Sequence, residues 1–223
     1  MSDTTLEQFC SENCTLSYIL SGNGKAAIID PVLDEGIEKY LDYLHKNNLA
    51  LEYIIDTHTH ADHISASSAI KLETGAKIVM HSQSPSERMD IVINQDDILL
   101  LGDIELKFFN TPGHTNDSIC IFVEGIVFTG DTMLIGGCGR TDFQNGSAQD
   151  LYESIFNKLL TLPDLTKVYP GHDYKERFCS TIKEERENSP RLQLSKEDFI
   201  QTLDNHHPGL PEKFKESVQE NSK

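Results

Sequence analysis

Short apolar runs separated by turn residues dominate the first third of the chain. Residues 16–20 and 26–29 flank the segment 21–24, Ser-Gly-Asn-Gly, which predicts a β-hairpin because Asn-Gly favours a tight hairpin turn. Apolar residues at i, i+3, i+4 and i+7 then predict an amphipathic helix over residues 37–44. A buried strand over residues 53–56 follows this helix.

Predicted helices and strands continue to alternate along the rest of the chain. A helix is predicted over residues 64–73, and Gly75 is positioned to end it. Pro163 similarly follows a second strongly apolar helix over residues 151–159. The tail beyond residue 174 reads as helical and charged. Further short strands are predicted at 77–80, 98–101, 104–109, 119–123, 126–128 and 167–169.

This alternation of strands and helices predicts an α/β (α+β) fold. The elements fall into two similar halves, which indicates two mixed sheets packed face to face with helices outside. No repeat, low-complexity block or linker divides the 223 residues. We therefore expect a single domain over residues 1–223, with a short helical C-terminal extension from about residue 175.

Charge and composition narrow the class of protein. A formal net charge of −17 argues against nucleic-acid binding and against an anionic membrane surface. No apolar run approaches membrane-spanning length, and the polar, acidic N-terminus has no signal-peptide pattern. Five scattered cysteines favour reduced thiols over a disulfide framework. We expect a cytoplasmic protein, or a mitochondrial matrix protein if the organism is eukaryotic.

Metal-binding residue types are concentrated in one segment. Three histidines and an aspartate stand within six positions, directly after the predicted strand 53–56: His58, His60, Asp62 and His63. Side chains two positions apart on an extended segment point the same way, so His58 and His60 can share one site. The alternative is an ordinary polar loop. With nine histidines in the whole chain, three in six positions are improbable by chance.

Three other strand ends carry one potential ligand each. His114 follows Thr-Pro-Gly after a strand, Asp131 follows Gly130, and His172 follows Tyr-Pro-Gly. Each residue alone is more typical of a cap or a turn. Together with the histidine segment, they give four strand ends that each deliver a nitrogen or oxygen ligand, as loops on a rigid scaffold do at functional sites.

These motifs, HTHADH at 58–63, GH at 113–114, GD at 130–131 and GH at 171–172, resemble the metallo-β-lactamase superfamily. The resemblance runs from about residue 18 to residue 174. It implies an αββα sandwich with a metal site at one edge, between the sheets. Since one scaffold carries many activities, the fold alone does not decide the reaction.

Resemblance to glyoxalase II implies a hydroxyacylglutathione hydrolase with two Zn, Fe or Mn ions. One ion would be held by His58, His60 and His114, and the other by Asp62, His63 and His172, with Asp131 bridging. The bound ions would lower the pKa of a water molecule and supply hydroxide for thioester hydrolysis.

The persulfide dioxygenase subfamily, the ETHE-type sulfur dioxygenases, is more similar. Residues 128–144, which include the block Gly-Arg-Thr-Asp-Phe-Gln, resemble it closely, as do 169–174, 184–186 and 188–192. This resemblance implies one Fe(II) bound by His58, His114 and Asp131, and oxidation of glutathione persulfide by O₂ to sulfite and glutathione, a step in sulfide oxidation. His60, Asp62, His63 and His172 would then surround the ligands.

The carboxylates of glutathione need fixed cations, and Arg140 and Arg186, with Tyr174, are the candidates. Arg186 could instead lie on a solvated helix face, and Cys138 is expected to be a packed thiol rather than a nucleophile. Dimers are common in the resembling subfamily, which implies a homodimer, and any sulfurtransferase partner would be a separate protein. Other hydrolases of the superfamily and a non-enzymatic scaffold remain as alternatives.

Overall fold

The computed structural model describes residues 4–34, 36–210 and 214–223. The chain forms two compact units. The first contains Met1–Ile93, Ile98–Leu106 and Leu210–Lys223, and the second contains Asn94–Asp97 and Lys107–Gly209. Each unit has a buried apolar cluster of its own. The expectation of one domain over residues 1–223 stays a prediction.

A six-stranded mixed sheet lies in the first unit, with its strands in chain order. The first three strands pair antiparallel and the last three join in parallel. Two helices, α1 (Glu38–Lys46) and α2 (Ser67–Thr74), connect the third strand to the fourth and the fourth to the fifth, and an irregular loop over residues 82–90 connects the fifth to the sixth. The strands are β1 (Thr5–Cys10), β2 (Leu16–Gly22), β3 (Lys25–Ile29), β4 (Ala50–Ile55), β5 (Lys77–His81) and β6 (Ile91–Ile93).

The predicted hairpin is confirmed between β2 and β3. Gly22 pairs with Lys25, so Asn23 and Gly24 alone form the turn. Both turn residues have positive φ, 51° and 73°. Two consecutive residues of this kind give the type I′ turn, whose twist matches that of the flanking strands.

A second mixed sheet of six strands has the order β12-β11-β10-β9-β8-β7. β10 and β11 pair in parallel, and helix α3 (Ala148–Asn157) lies between them in the chain. The pairs β8–β9, β9–β10 and β11–β12 are antiparallel. The strands are β7 (Ile98–Leu101), β8 (Ile104–Asn110), β9 (Ile119–Val123), β10 (Ile126–Gly130), β11 (Lys167–Pro170) and β12 (Ser180–Thr181).

The predicted amphipathic helices are present, with well-defined ends. Ser147 caps α3 by accepting a hydrogen bond from the Asp150 N–H, and Leu151 and Ile155 of α3 are fully buried in the core of the second unit. Gly75 ends α2 with a left-handed φ of 72°, as predicted. The tail contributes α4 (Ile182–Asn188), α5 (Lys196–Asp204) and α6 (Phe214–Asn221). None of the helices in the described ranges combines the length and apolar composition that crossing a membrane requires.

Two mixed sheets with helices therefore confirm the predicted fold class, and the differences are local. The sequence pattern missed three strands, β1, β6 and β12. β1 is an edge strand whose residues are all exposed or half-buried, so it lacks the apolar alternation that reveals a strand. Helix α2 begins at Ser67 rather than at residue 64, because the histidine segment stays irregular up to that point.

Gly113 is expected to be essential to the second unit. Its φ is 140°, and a Cβ at this position would lie 2.3 Å from the backbone N and Cα of Leu151. Gly113→Ala should therefore destabilise the protein by about 3 kcal/mol or more in denaturant unfolding. Gly24→Ala is the matched control, since its φ is 73° but nothing lies within 4 Å, and it should cost only about 1–2 kcal/mol. Equal losses for the two variants would contradict the steric argument.

Candidate functional site

The histidine segment begins where β4 ends. His58, His60 and His63 follow this buried strand and are each at most 3% exposed. Imidazole groups are rarely buried so completely without a structural or chemical role. The first unit therefore holds three enclosed nitrogen donors on one short irregular segment, as the sequence predicted.

The hydrogen bonds of Thr57 determine which nitrogen of His58 carries the proton. Asp30, just after β3, accepts from the Thr57 backbone N–H at 2.7 Å and from the Thr57 Oγ1 hydroxyl at 2.8 Å. Thr57 Oγ1 also lies 3.1 Å from His58 Nδ1. Because its one proton goes to Asp30, the hydroxyl can only accept from His58 Nδ1–H. This tautomer leaves the lone pair on Nε2, the form that a metal ligand needs.

Asp30 also contacts His60 in this buried network. His60 Nε2 lies 3.1 Å from Asp30 Oδ1 and donates to it. Burial raises the pKa of the Asp30 carboxyl, whereas a protonated His58 and the Thr57 hydrogen bonds lower it. Three donors converge on one carboxyl group that the sequence analysis did not identify as part of the site. Its only sequence signal was the Asp-Pro step at the end of a predicted strand.

A second group of donors involves His60, Asp62 and His63, whose ligand atoms lie within 4.8 Å of one another. His63 Nδ1 contacts Asp62 Oδ2 at 3.1 Å. His63 Nε2 is buried and has no hydrogen-bond partner among the described residues. Burying an imidazole nitrogen without a hydrogen-bond partner costs free energy. Coordination of a metal ion or a ligand by His63 Nε2 would offset that cost.

In the second unit, His114 and Asp131 are neighbours. His114 Nδ1 donates to the carbonyl oxygen of Arg140 at 2.8 Å, and since a carbonyl can only accept, Nε2 carries the lone pair. That Nε2 lies 3.7 Å from Asp131 Oδ2, too far for a hydrogen bond. The nitrogen and oxygen are thus close but not bonded to each other, a spacing that suits two ligands of one ion.

The other carboxylate oxygen of Asp131 is held by His172. Its Nδ1 lies 2.7 Å from Asp131 Oδ1, a short hydrogen bond that fixes the orientation of the carboxylate. Two glycines provide the necessary space. A Cβ on Gly171 would lie 2.7 Å from Asp131 Oδ1, and one on Gly139 would lie 2.8 Å from His114 Nδ1.

The three candidate substrate-binding residues, Arg140, Tyr174 and Arg186, differ in their exposure and in their contacts. Arg140 forms a two-pronged ion pair with Asp142, at 2.5 and 2.6 Å, and its guanidinium stacks 4.4 Å from the Phe143 ring. The Arg140 hydrogen bonds hold the pKa of the Asp142 carboxyl below its usual range. Tyr174 is 71% exposed, and its ring stacks on that of His172 at 6.0 Å.

Arg186 lies on the surface of α4. Its guanidinium contacts Asp164 Oδ1 at 2.6 Å and donates to the Leu160 carbonyl at 2.8 Å. Both sides of the ion pair are about half exposed, 41% for Arg186 and 55% for Asp164. A substrate role for Arg186 stays a prediction, and these contacts give it no support.

A cavity of about 280 Å³ in the second unit contains cations that the sequence analysis missed. Its walls include Lys175, Arg177 and Arg191 beside His172 and Tyr174. Arg191 donates to the carbonyl of Cys138 at 3.1 Å, which keeps its guanidinium at the wall. Arg191 lies inside the similar block 188–192, and Arg177 follows His172 closely, so both had a sequence signal.

Asp173 is the acidic residue in the same wall. Burial opposes its ionisation, but hydrogen bonds and charge from Arg177 outweigh this effect and hold the pKa of Asp173 below its usual value. Arg177 Nη2 contacts Asp173 Oδ1 at 2.5 Å and the Ile135 carbonyl at 2.8 Å. The cavity is thus lined by three cationic side chains and one carboxylate. This gives it a local excess of positive charge in an otherwise acidic protein.

The cysteines show no sign of nucleophilic chemistry. All five are free thiols, in agreement with the expected reduced state. Burial raises the pKa of the Cys138 thiol, although Arg191 lies beside it and acts in the opposite direction. A raised pKa keeps the thiol protonated and poorly reactive, so Cys138 behaves as the packed residue that was expected.

The donors of both units fit a first-row transition metal. Imidazole nitrogen and carboxylate oxygen are ligands that iron and zinc accept readily. His58 and His114 both present the Nε2 lone pair, and glycines leave room around Asp131. The hydrogen bonds that orient these groups are of the kind found behind metal ligands in general.

The chain belongs to the metallo-β-lactamase superfamily, whose family model matches residues 12–87 and 81–172. Its fold is the metallo-β-lactamase fold. A crystal structure of ETHE1 from Myxococcus xanthus superposes with a TM-score of 0.95 at 38% identity, covering 98% of both chains.

Two sequence relatives come from different branches of the superfamily. The mitochondrial persulfide dioxygenase ETHE1 of Mus musculus is 37% identical over 220 residues, covering 96% of this chain and 86% of the mouse protein. A hydroxyacylglutathione hydrolase of Pelagibacter ubique is 31% identical over 212 residues, covering 91% of this chain and 85% of that protein. Both subfamilies named from the sequence motifs are thus represented.

The tautomer of His58 is open to direct measurement. Thr57→Val keeps the shape of the side chain but removes the hydroxyl, so the Nδ1 proton of His58 loses its acceptor. We expect ¹⁵N NMR of the metal-free protein to show loss of the single His58 tautomer, and Zn(II) affinity to fall about tenfold. Thr57→Ser should retain both properties. Unchanged His58 spectra in Thr57→Val would contradict the hydrogen-bond assignment.

Proposed function

We propose that this protein is an iron-dependent persulfide dioxygenase that converts glutathione persulfide, O₂ and water to sulfite and glutathione. The main support is its similarity to proteins named persulfide dioxygenase over nearly the whole chain. The block at residues 139–144 supports the same choice over glyoxalase II.

The proposed ligands of a single Fe(II) are His58, His114 and Asp131. When bound, the iron would supply adjacent open positions for sulfur and O₂ and the redox capacity to join them. The protein groups would keep these ligands ready: Thr57 and the Arg140 carbonyl each accept an Nδ1 proton, so both imidazoles present Nε2. His172 would hold Asp131 Oδ1, leaving Oδ2 as the ligand atom.

The choice of one metal ion over two rests on the similarity to persulfide dioxygenases. The hydrogen bond between His172 and Asp131 Oδ1 is compatible with either number, because Oδ2 could bind one ion or be shared by two. In this proposal His60, Asp62, His63 and His172 orient the ligands and tune the site.

We also propose that the cavity beside His172 receives the carboxylates of glutathione. Lys175, Arg177 and Arg191 line it, and guanidinium groups bind carboxylates in a two-pronged fashion. Tyr174, one of the sequence candidates, is in the same wall. Arg140 would act mainly through its backbone carbonyl, since its guanidinium is engaged by Asp142.

The second candidate is a thioester hydrolase of the hydroxyacylglutathione type with two Zn, Fe or Mn ions. It is favoured by the buried Nε2 of His63, for which the described part of the chain offers no hydrogen-bond partner. Together with His60 and Asp62, this nitrogen could hold a second ion. The relative from Pelagibacter ubique supports it as well. A homodimer and a separate sulfurtransferase partner remain part of the dioxygenase proposal.

One pair of assays separates these functions. Purified anaerobically with Fe(II), the protein should consume O₂ when given glutathione persulfide and carry about one iron per chain. Asp131→Ala should reduce this O₂ uptake to background, while the surface variant His206→Ala should behave as wild type. Rapid hydrolysis of S-lactoylglutathione without O₂ uptake, with two ions per chain, would establish the hydrolase instead.

The cationic cavity is tested by substrate kinetics. Arg191→Gln should raise KM for glutathione persulfide about tenfold and change kcat little, because it removes binding to a carboxylate remote from the sulfur. Arg177→Gln should have a smaller effect on KM, because its guanidinium already pairs with Asp173. Arg186→Gln should leave both constants near wild type, since its guanidinium already pairs with Asp164. The reverse outcome would return the substrate role to Arg186.

A further inference from the structure

The C-terminal helix α6 ends on a fully buried asparagine. Asn221 is 0% exposed, and so is Ser217, one turn earlier on the same face of the helix. A buried primary amide needs partners for two N–H donors and one oxygen acceptor. Asn221 finds all three on a segment more than 150 residues earlier in the chain, within the same compact unit.

Those partners are backbone groups of the histidine segment. Asn221 Nδ2 donates to the carbonyl oxygen of His60 at 2.9 Å and to that of His63 at 2.8 Å. The N–H of Ser65 donates to Asn221 Oδ1 at 2.9 Å. The amide has one orientation that satisfies this set, since reversing it would oppose oxygen to two carbonyls and nitrogen to an N–H.

Other bonds also hold this segment: His60 Nε2 contacts Asp30 Oδ1 at 3.1 Å, and the backbone of Ile64 and Ala66 pairs with that of Leu33 and Pro31 at 3.0 and 2.8 Å. At the start, Asp30 holds the Thr57 backbone N–H. At the end, Asp56 accepts from the hydroxyls of Ser65 and Ser67 at 2.8 and 2.9 Å. The stretch from His60 to His63 forms no helix or strand, and Asn221 bonds the carbonyls at both of its limits. The amide therefore contributes directly to the conformation that directs those side chains.

We propose that Asn221 is a positioning residue that fastens α6 onto the histidine segment, so that docking of the helix and binding of metal are coupled. The coupling to metal rests on the proposed function, while the fastening itself does not. An eight-residue helix is marginal alone in water, so α6 needs its docking contacts to stay folded. Because thermodynamic coupling is reciprocal, a bound metal ion would in turn stabilise the docked helix.

Hydrogen exchange of the full-length, metal-free protein tests the fastening. In Asn221→Asp the side chain keeps its size but opposes a carboxylate to two carbonyl oxygens. We expect exchange of the amides in residues 60–66 and 214–223 to accelerate about tenfold or more, while amides of β2 and β3 keep wild-type protection. Asn221→Ala should give the same pattern. The control is Ser222→Ala, which removes only a bond within the helix, to the Val218 carbonyl.

Metal titration tests the coupling. With Zn(II) and a competing chelator, Asn221→Asp should bind about tenfold more weakly than wild type, and Ser222→Ala should match wild type. Zn(II) should slow exchange in residues 214–223 of the wild type.

Unaltered protection of residues 60–66 in both Asn221 variants would overturn the fastening. Loosened segments with unchanged Zn(II) affinity would overturn the coupling. If the wild type binds no metal, both the metal site and the coupling are refuted. Hydrogen exchange in the Asn221 variants would then still test the fastening.

Discussion

The candidate site depends above all on the direction of a few hydrogen bonds. A neutral imidazole can offer one lone pair, and which nitrogen offers it is determined by what the other nitrogen contacts. In each unit the outer nitrogen of a ligand candidate meets a group that must accept: the Thr57 hydroxyl for His58 and the Arg140 carbonyl for His114. The buried carboxyl of Asp30 is the origin of the first arrangement, because it commits the only proton of Thr57.

Backbone geometry at strand ends makes these hydrogen bonds possible. His58, His114, Asp131 and His172 each stand within a few residues of the end of a strand, where a rigid sheet gives way to a short irregular turn. Glycines remove steric bulk at the points of closest approach, at Gly139 and Gly171. Rigid strands followed by glycine turns place donors accurately without requiring the loops themselves to be long.

The sequence predicted the features that leave a signal in neighbouring residues. It predicted most strands and helices, the Asn-Gly hairpin and the histidine segment, because each leaves a signal within a few residues. It missed Asp30 and Asn221, since their partners are distant in the chain and an isolated Asp or Asn has no distinctive neighbourhood. Arg186 was chosen by resemblance rather than contact. The pairing of its guanidinium with Asp164 became visible only when packing was known.

Reliance on one buried amide has a consequence for the chemical lifetime of the protein. Asn221 is followed by Ser222, a small residue that permits an asparagine side chain to cyclise slowly on the next backbone nitrogen and hydrolyse to a carboxylate. Deamidation at this single position would replace the Nδ2 amide group, which donates both hydrogen bonds, with one oxygen that faces two carbonyls. The helical backbone and complete burial of Asn221 oppose that cyclisation. Molecules that fray at their last turn would therefore age fastest, and they would lose the order of the histidine segment before they lose their sheets.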